Sequence, residues 1–201
     1  MRDHSDTGGD RAMSVAPVSP LMGWEDLVHT WQDLDVPEGW RAEIIEGRIV
    51  MTPPPGHSHN LIASRLTKAL VPAMSDDWEI FQTSGVQIPL RGNLFIPDLM
   101  IMRGQDVPAG SDPIPADKAL LVVEITSRGN ADVDRKTKLW SYAHAAVPLY
   151  LLIDRYGPDG EWVSLHSNPE SGVYQDVHRV PFGKPIDLPV PFRLTLDTDR
   201  L

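Results

Sequence analysis

Two carboxylates in this 201-residue chain stand where apolar side chains are expected. Asp98 follows Pro97 inside LFIPDLMIM, and Glu124 closes the run ALLVVEI. Each lies at the border of a segment suited to burial, where a lone carboxylate is costly to desolvate. If neighbouring strands bring the two together they repel, by about 4 kcal/mol at roughly 4 Å and an effective dielectric near 20. A divalent cation between them turns that penalty into an attraction. The competing reading has each carboxylate capping a loop or pairing with an arginine. A helical stretch downstream carries Asp134, Arg135, Lys136 and Lys138. Lys138 falls one turn after Asp134 and one turn before Tyr142, so the three share a face. A lysine beside a metal-holding carboxylate pair can stabilise the charge that grows on a phosphate or orient an attacking water. On spacing alone, a solvated Asp134–Lys138 surface pair worth a few tenths of a kcal/mol reads equally well. His57 and His59 are spaced i, i+2, which suits metal ligation from a strand better than from a helix. His59 is therefore read as packing or hydrogen-bonding near the site and His57 as solvent-facing; His144 has no partner legible in the sequence.

The elements that must position these residues follow from periodicity. Trp24, Leu27, Trp31 and Leu34 fall at helical spacing over 23–34. RAEIIEGRIVMT reads as a β-hairpin about a Glu46-Gly47 turn. PPPGH breaks the chain, as a rigid turn or a substrate-facing lid. Ser58 is placed as the cap of a second helix whose apolar face is Ile62, Leu66, Ala69, Leu70 and Ala73. WEIFQ, GVQIPL, LFIPDLMIM and ALLVVEIT are strand-like runs. A third helix over 131–146 carries Leu139, Tyr142, Ala143 and Ala146 on one stripe and stops before Pro148. PLYLLID is a buried strand, EWVSLHS and VYQDVHRV form a hairpin across NPESG, and the proline-rich tail is an edge strand or wrap. Trp24 and Trp31 are read as core, with Trp140 facing away from Leu139. The expected fold is α/β (α+β), a mixed β-sheet core flanked by helices.

Composition bounds the chemistry. A chain this long buries roughly 70% of its unfolded surface and needs no staple. It has no cysteine, which excludes disulfides, thiolate zinc sites, iron–sulfur clusters and a cysteine nucleophile. Any metal must be held by carboxylates, histidine, carbonyls and water, which suits hard ions such as Mg²⁺ or Mn²⁺. The formal charge of −10 argues against a generic polybasic binder of nucleic acid or membrane. A local exception is 127–155, with five basic residues (Arg128, Arg135, Lys136, Lys138, Arg155) against three acidic ones (Asp132, Asp134, Asp154). Residues 1–20 lack periodicity and are read as a disordered tail, with 21–201 as a single domain. With no apolar leader and no run of about 18 apolar residues, the chain reads as soluble and cytoplasmic, with no membrane partner.

In order and spacing, the strings IPD, VVEITS and DRKTKLWSYAHAAVPLYLLID resemble the putative restriction endonuclease family of bacteria, within the PD-(D/E)XK nuclease superfamily. The matching positions are Pro97-Asp98, Glu124 to Ser127, Asp134-Lys138-Tyr142 and Val147-Pro148-Tyr150-Asp154. AEIIEGRIVMTPPPGHSHNLIASRL resembles the family's E-x-x-x-G hairpin and His-started helix, placing Glu43, Gly47 and His59. The likeness covers roughly residues 25–195. It implies a restriction-endonuclease-like fold and a metal-dependent endonuclease acting on DNA, with a homodimer lining the cleft. Asp98 and Glu124 would hold Mg²⁺ or Mn²⁺ with the backbone carbonyl of Ile125 and waters, and Glu43 would be a further acidic ligand or water-orienting group. The superfamily's usual lysine two residues after the second acid is missing, because Thr126 stands there. The resemblance points instead to Lys138, with Lys136 as the alternative and Tyr142 and His59 as supporting groups. Two other readings stay open: a non-catalytic module that kept the fold, and a metal-dependent hydrolase of small phosphate esters.

Overall fold

The computed structural model describes residues 22–201 and, before them, only the two-residue strand β1 (Ser14–Val15). The rest of the expected disordered tail lies outside the described residues. Trp24, Leu27 and Trp31 shape α1 (Trp24–Gln32), which buries Leu27 and donates the Trp31 indole N–H to the carbonyl of Ala42 at 2.6 Å. The hairpin forms as β2 (Arg41–Ile45) and β3 (Arg48–Thr52). Its two turn residues, Glu46 and Gly47, both have positive φ (49° and 75°), as a type I′ turn demands. After the proline run comes α2 (His57–Leu70), which starts two residues earlier than expected. Gly56 is its N-cap, without a side-chain cap bond, so Ser58 lies inside the first turn and caps nothing. Ile62, Leu66 and Leu70 are the buried stripe, whereas Ala73 belongs to a separate 3₁₀ turn.

Next are β4 (Trp78–Phe81), β5 (Val86–Ile88), β6 (Asn93–Phe95) and β7 (Leu99–Arg103). The apolar run LFIPDLMIM is thus two strands, not one, and they lie in different sheets. Pro97, which has no N–H to give a ladder, falls in the break between them. The short strand β8 (Ile114–Pro115) went unforeseen; β9 (Ala119–Ile125) is the expected ALLVVEI. The third helix begins π-helical over Val133–Lys138 and continues as α3 (Leu139–His144). Ala146, expected on its buried stripe, lies beyond its end with φ 54°. The chain finishes with β10 (Leu149–Gly157), β11 (Gly160–Glu170), β12 (Val173–Pro181), β13 (Ile186–Leu188) and β14 (Leu194–Leu196). β11 runs through Asn168–Glu170, so the hairpin turns at Ser171-Gly172 rather than across all of NPESG.

The expectation of mixed β structure flanked by helices holds, with the strands divided between two large sheets and a small one. One sheet has the order β12-β11-β10-β9-β7-β4, with β9 and β10 parallel about the α3 crossover and the other neighbours antiparallel. The other has the order β1-β3-β2-β6-β5-β8, and β13 pairs with β14 separately. Strand alternation splits the first sheet cleanly. Leu99, Ile101, Leu121, Val123, Leu151 and Ile153 pack with α2 and the β13–β14 ribbon. Met100, Met102, Val122, Tyr150 and Leu152 pack instead with Tyr142 and Ala143 of α3 and with Val86 and Phe95 of the second sheet. Glu124 shares the parity of Val122, so it projects into this second layer, between the two sheets. α1 closes the far side of the second sheet on Ala42, Ile44 and Leu94.

Candidate active site

The register explains how Asp98 and Glu124 meet. Leu99 of β7 pairs with Val123 of β9, and one step further the antiparallel ladder sets Asp98 across from Glu124. The backbone N–H of Ile125 donates to Asp98 Oδ2 at 2.8 Å. From the second sheet, β2 contributes Arg41 and Glu43, which alternate to the same face. Arg41 donates to Asp98 Oδ1 at 2.7 Å, and Glu43 Oε1 accepts the backbone N–H of Ile96 at 2.7 Å. His59, from the first turn of α2, places Nε2 3.0 Å from Asp98 Oδ2 and 3.1 Å from the carbonyl oxygen of Ile125.

The third helix supplies the remaining members. Lys138 Nζ lies 3.0 Å from Glu124 Oε1, 3.1 Å from Glu43 Oε1 and 3.5 Å from Asp134 Oδ1. Tyr142 donates its hydroxyl to Glu124 Oε1 at 3.0 Å, and Tyr150 donates to the Asp134 carbonyl at 2.9 Å. Asp134, Lys138 and Tyr142 are all buried, which removes the solvated surface pair as a reading. The π-helical turn helps to align them. In a pure α-helix two successive steps of four residues overshoot a full turn in the same sense, by about 40° each. The wider π turn, closed by i→i+5 bonds, undershoots instead. One step of each kind leaves Asp134 and Tyr142 nearly above one another, with Lys138 between them.

Electrostatics follow from burying four carboxylates with few cations. Burial drives Glu124 well above the usual carboxylate range; Lys138 opposes the shift, and Asp134, Asp98 and Glu43 add to it. Asp134 is pushed up to about 7, again by burial first, and neither of its oxygens makes a hydrogen bond. Burial also acts to raise Asp98, but the hydrogen bonds and charges of His59 and Arg41 outweigh it and hold that carboxyl low. For Lys138 burial favours the neutral amine, yet Glu124, Glu43 and Asp134 reverse the balance and keep the ammonium well above its ordinary range.

Arg41, Glu43, His59, Asp98, Glu124 and Lys138 form one wall of a cavity of about 310 Å³, and the loop Pro53–Gly56 forms another. The proline run therefore lies at the cavity rim. The two candidate lysines are separated: Lys138 is in the cluster, while Lys136 is 74% exposed and pairs with Asp132 at 3.3 Å. His57 is exposed, as expected. Much of the basic island is spent internally. Arg135 grips Asp154 with two contacts of 2.7 Å and also reaches Asp132, and Arg155 lies 3.5 Å from Glu161. Arg128, at the cavity rim, stacks 5.1 Å from the Tyr156 ring centroid and has no acidic partner among the described residues. Trp140 lies under Arg91 on the helix's outer side, stacked on His144, which thereby gains the partner the sequence did not show. Sequence reasoning missed Arg41, although its period-two spacing from Glu43 was a usable signal.

The fold and the acid–lysine cluster define a nuclease-like α+β protein, and comparison with known proteins agrees. Residues 24–199 match the Uma2 family, described as putative restriction endonuclease, and the chain belongs to that family. It is similar in fold to the crystal structure of a putative nuclease belonging to DUF820 from Anabaena variabilis. The TM-score is 0.63 and the identity 17%, over 89% of this chain and 96% of that one. At that identity the likeness carries the fold alone. No curated protein sequence matches the chain. Among the described residues, no helix is long and apolar enough to cross a membrane.

Proposed function

We propose that this protein is a divalent-metal-dependent endonuclease that hydrolyses DNA phosphodiester bonds, working as a homodimer. The observation that carries the reading is Lys138, a buried ammonium 3.0 Å from Glu124 and 3.1 Å from Glu43, beside Asp98 on the neighbouring strand. The donor set suits Mg²⁺ or Mn²⁺: two carboxylates and the Ile125 carbonyl are hard oxygen ligands. No three His or acidic groups among the described residues form a ready-made cage. Mg²⁺ does not require one, since it is usually held by one or two carboxylates with waters and substrate phosphate. Asp98 and Glu124 would hold the ion with Ile125 O, and once bound it would supply Lewis acidity and a more acidic water. Lys138 keeps its proton at neutral pH, so it serves as a fixed charge and hydrogen-bond donor toward the phosphate, not as a base. Glu43, fixed by the Ile96 N–H and Lys138, is placed to orient a water. Tyr142 and Tyr150 brace the cluster from below, and Pro53–Gly56 limits the approach to the cavity.

A second reading, hydrolysis of a small phosphate ester, is favoured by the internal pairing of Arg135, Lys136 and Arg155 on a chain of charge −10. Salt separates the two, because only a DNA-binding protein loses affinity steeply as counterions compete. The direct test is incubation of supercoiled plasmid with Mg²⁺ or Mn²⁺. Wild type and Lys136→Ala should nick it, while Asp98→Ala and Lys138→Ala should not. Equal nicking by wild type and Asp98→Ala would trace the activity to a contaminant and end the assignment.

A further inference from the structure

Three of the residues lining the cavity carry a permanent positive charge: Arg41, Lys138 and Arg128. Two are spent on carboxylates inside it, Arg41 on Asp98 and Lys138 on Glu124 and Glu43. Arg128 has no acidic partner among the described residues and stands exposed at the rim, whereas those acids are buried. Its place is nonetheless fixed. The Ser127 N–H and hydroxyl both donate to Asn130 Oδ1, at 3.0 and 2.6 Å, and close the bend that carries Arg128. The Thr126 N–H donates to the Ile153 carbonyl and the Arg155 N–H donates to Thr126 Oγ1, which ties the start of the bend to β10. Tyr156 of β10 donates its backbone N–H to Asp154 Oδ1 at 3.1 Å, the same carboxylate that Arg135 grips. Its ring backs the Arg128 guanidinium at 5.1 Å.

A guanidinium set on a ring engages it through its face. Its N–H donors lie in the plane and form the fork that fits two phosphate oxygens. On a chain of formal charge −10, an unneutralised cation at the mouth of the cavity is where a polyanion gains most. Resting on the DNA reading above, we propose that Arg128 binds a backbone phosphate flanking the one at the acids, with Tyr156 as its support. The cavity then engages two phosphates of one strand, the scissile group beside Lys138 and its neighbour at Arg128. Arg128 is thus a substrate-binding residue that favours a polynucleotide over a small ester, which has no second phosphate to offer.

Fluorescence anisotropy of a short labelled DNA duplex, with Ca²⁺ in place of Mg²⁺ and titrated over salt, tests this. Arg128→Gln should weaken binding about three- to tenfold at low salt and lower the slope of log K against log salt by about one. Arg128→Lys keeps the charge and should keep the slope. Arg200→Gln makes the same change of net charge at an exposed arginine paired with Asp197, and should leave affinity and slope at wild-type values. In plasmid nicking, Arg128→Gln should raise KM more than it lowers kcat. A slope and affinity for Arg128→Gln equal to those of Arg200→Gln, or a slope lost equally in Arg128→Lys, would overturn the inference alone. Wild-type binding that is absent or insensitive to salt would overturn the DNA reading, and the inference with it.

Discussion

Replacing Lys138 with methionine keeps the length and apolar stem of the side chain and removes only the charge. The ammonium stands 3.0, 3.1 and 3.5 Å from oxygens of Glu124, Glu43 and Asp134. At an effective dielectric near 20, each contact is a gross attraction of roughly 5 kcal/mol. Desolvation of four buried charges cancels most of that sum, but breaking a buried pair from one side leaves uncompensated carboxylates and costs about 3–5 kcal/mol. For a domain of this size that is a fall in Tm of roughly 10 °C. The loss should be largest near pH 8 and shrink in acid, because protonated Glu124 and Asp134 no longer need the ammonium. Adding Glu124→Gln to Lys138→Met should recover part of the loss, since the acid left unpaired is then neutral. Urea unfolding followed by tryptophan fluorescence measures all three variants, with Lys136→Met as the surface control. A Lys138→Met loss below about 1 kcal/mol, or one equal to that of Lys136→Met, would refute the buried cluster as the source of the lysine's position.

Three further outcomes are expected. Tyr142→Phe removes the buried donor to Glu124 Oε1 and should cost about 1–3 kcal/mol in urea unfolding, while an unchanged midpoint would mean the 3.0 Å bond is dispensable. His166, packed between Tyr150 and Tyr174, is lowered by burial to about 4 against an ordinary 6.5. The unfolded chain therefore takes up this proton first as pH falls, and stability should drop between pH 6.5 and 4 by up to about 3 kcal/mol. His166→Gln should flatten that part of the profile, and parallel profiles would refute the assignment. Gly172→Ala sets a Cβ against the His144 ring at φ 79° and should destabilise by more than about 1 kcal/mol, as read by Tm.

The sequence betrays its acids because a carboxylate beside ALLVVEI or LMIM has no cheap explanation. The strand runs and the Glu46-Gly47 turn came from local pattern, which is where sequence is most informative, whereas the preference for Lys138 over Lys136 came from the family resemblance. What it hides is set by distance along the chain. Nothing near Arg41 announces Asp98, 57 residues later, and nothing near His59 announces the Ile125 carbonyl. The division into two sheets turns on Pro97, which reads as a blemish in one apolar run until its neighbours are seen pairing with different partners. The basic island was legible as composition but not as chemistry, since only the folded chain brings Glu161 to Arg155 and sets Arg135 against Asp154 in the bidentate grip that its geometry favours.

The π-helical segment has a consequence for ancestry. A π turn is what an α-helix becomes when one residue is inserted and its neighbours refuse to move. In this chain the insertion would have been absorbed at Val133–Lys138, leaving Tyr142 seated on Glu124 and turning the residues before it relative to the sheet. A relative lacking that residue would turn the residues before Lys138 relative to the acids while leaving the Lys138–Tyr142 step unchanged. Deleting Thr137 here would make Asp134 the third residue before Lys138 rather than the fourth and turn it relative to the lysine by about 30°.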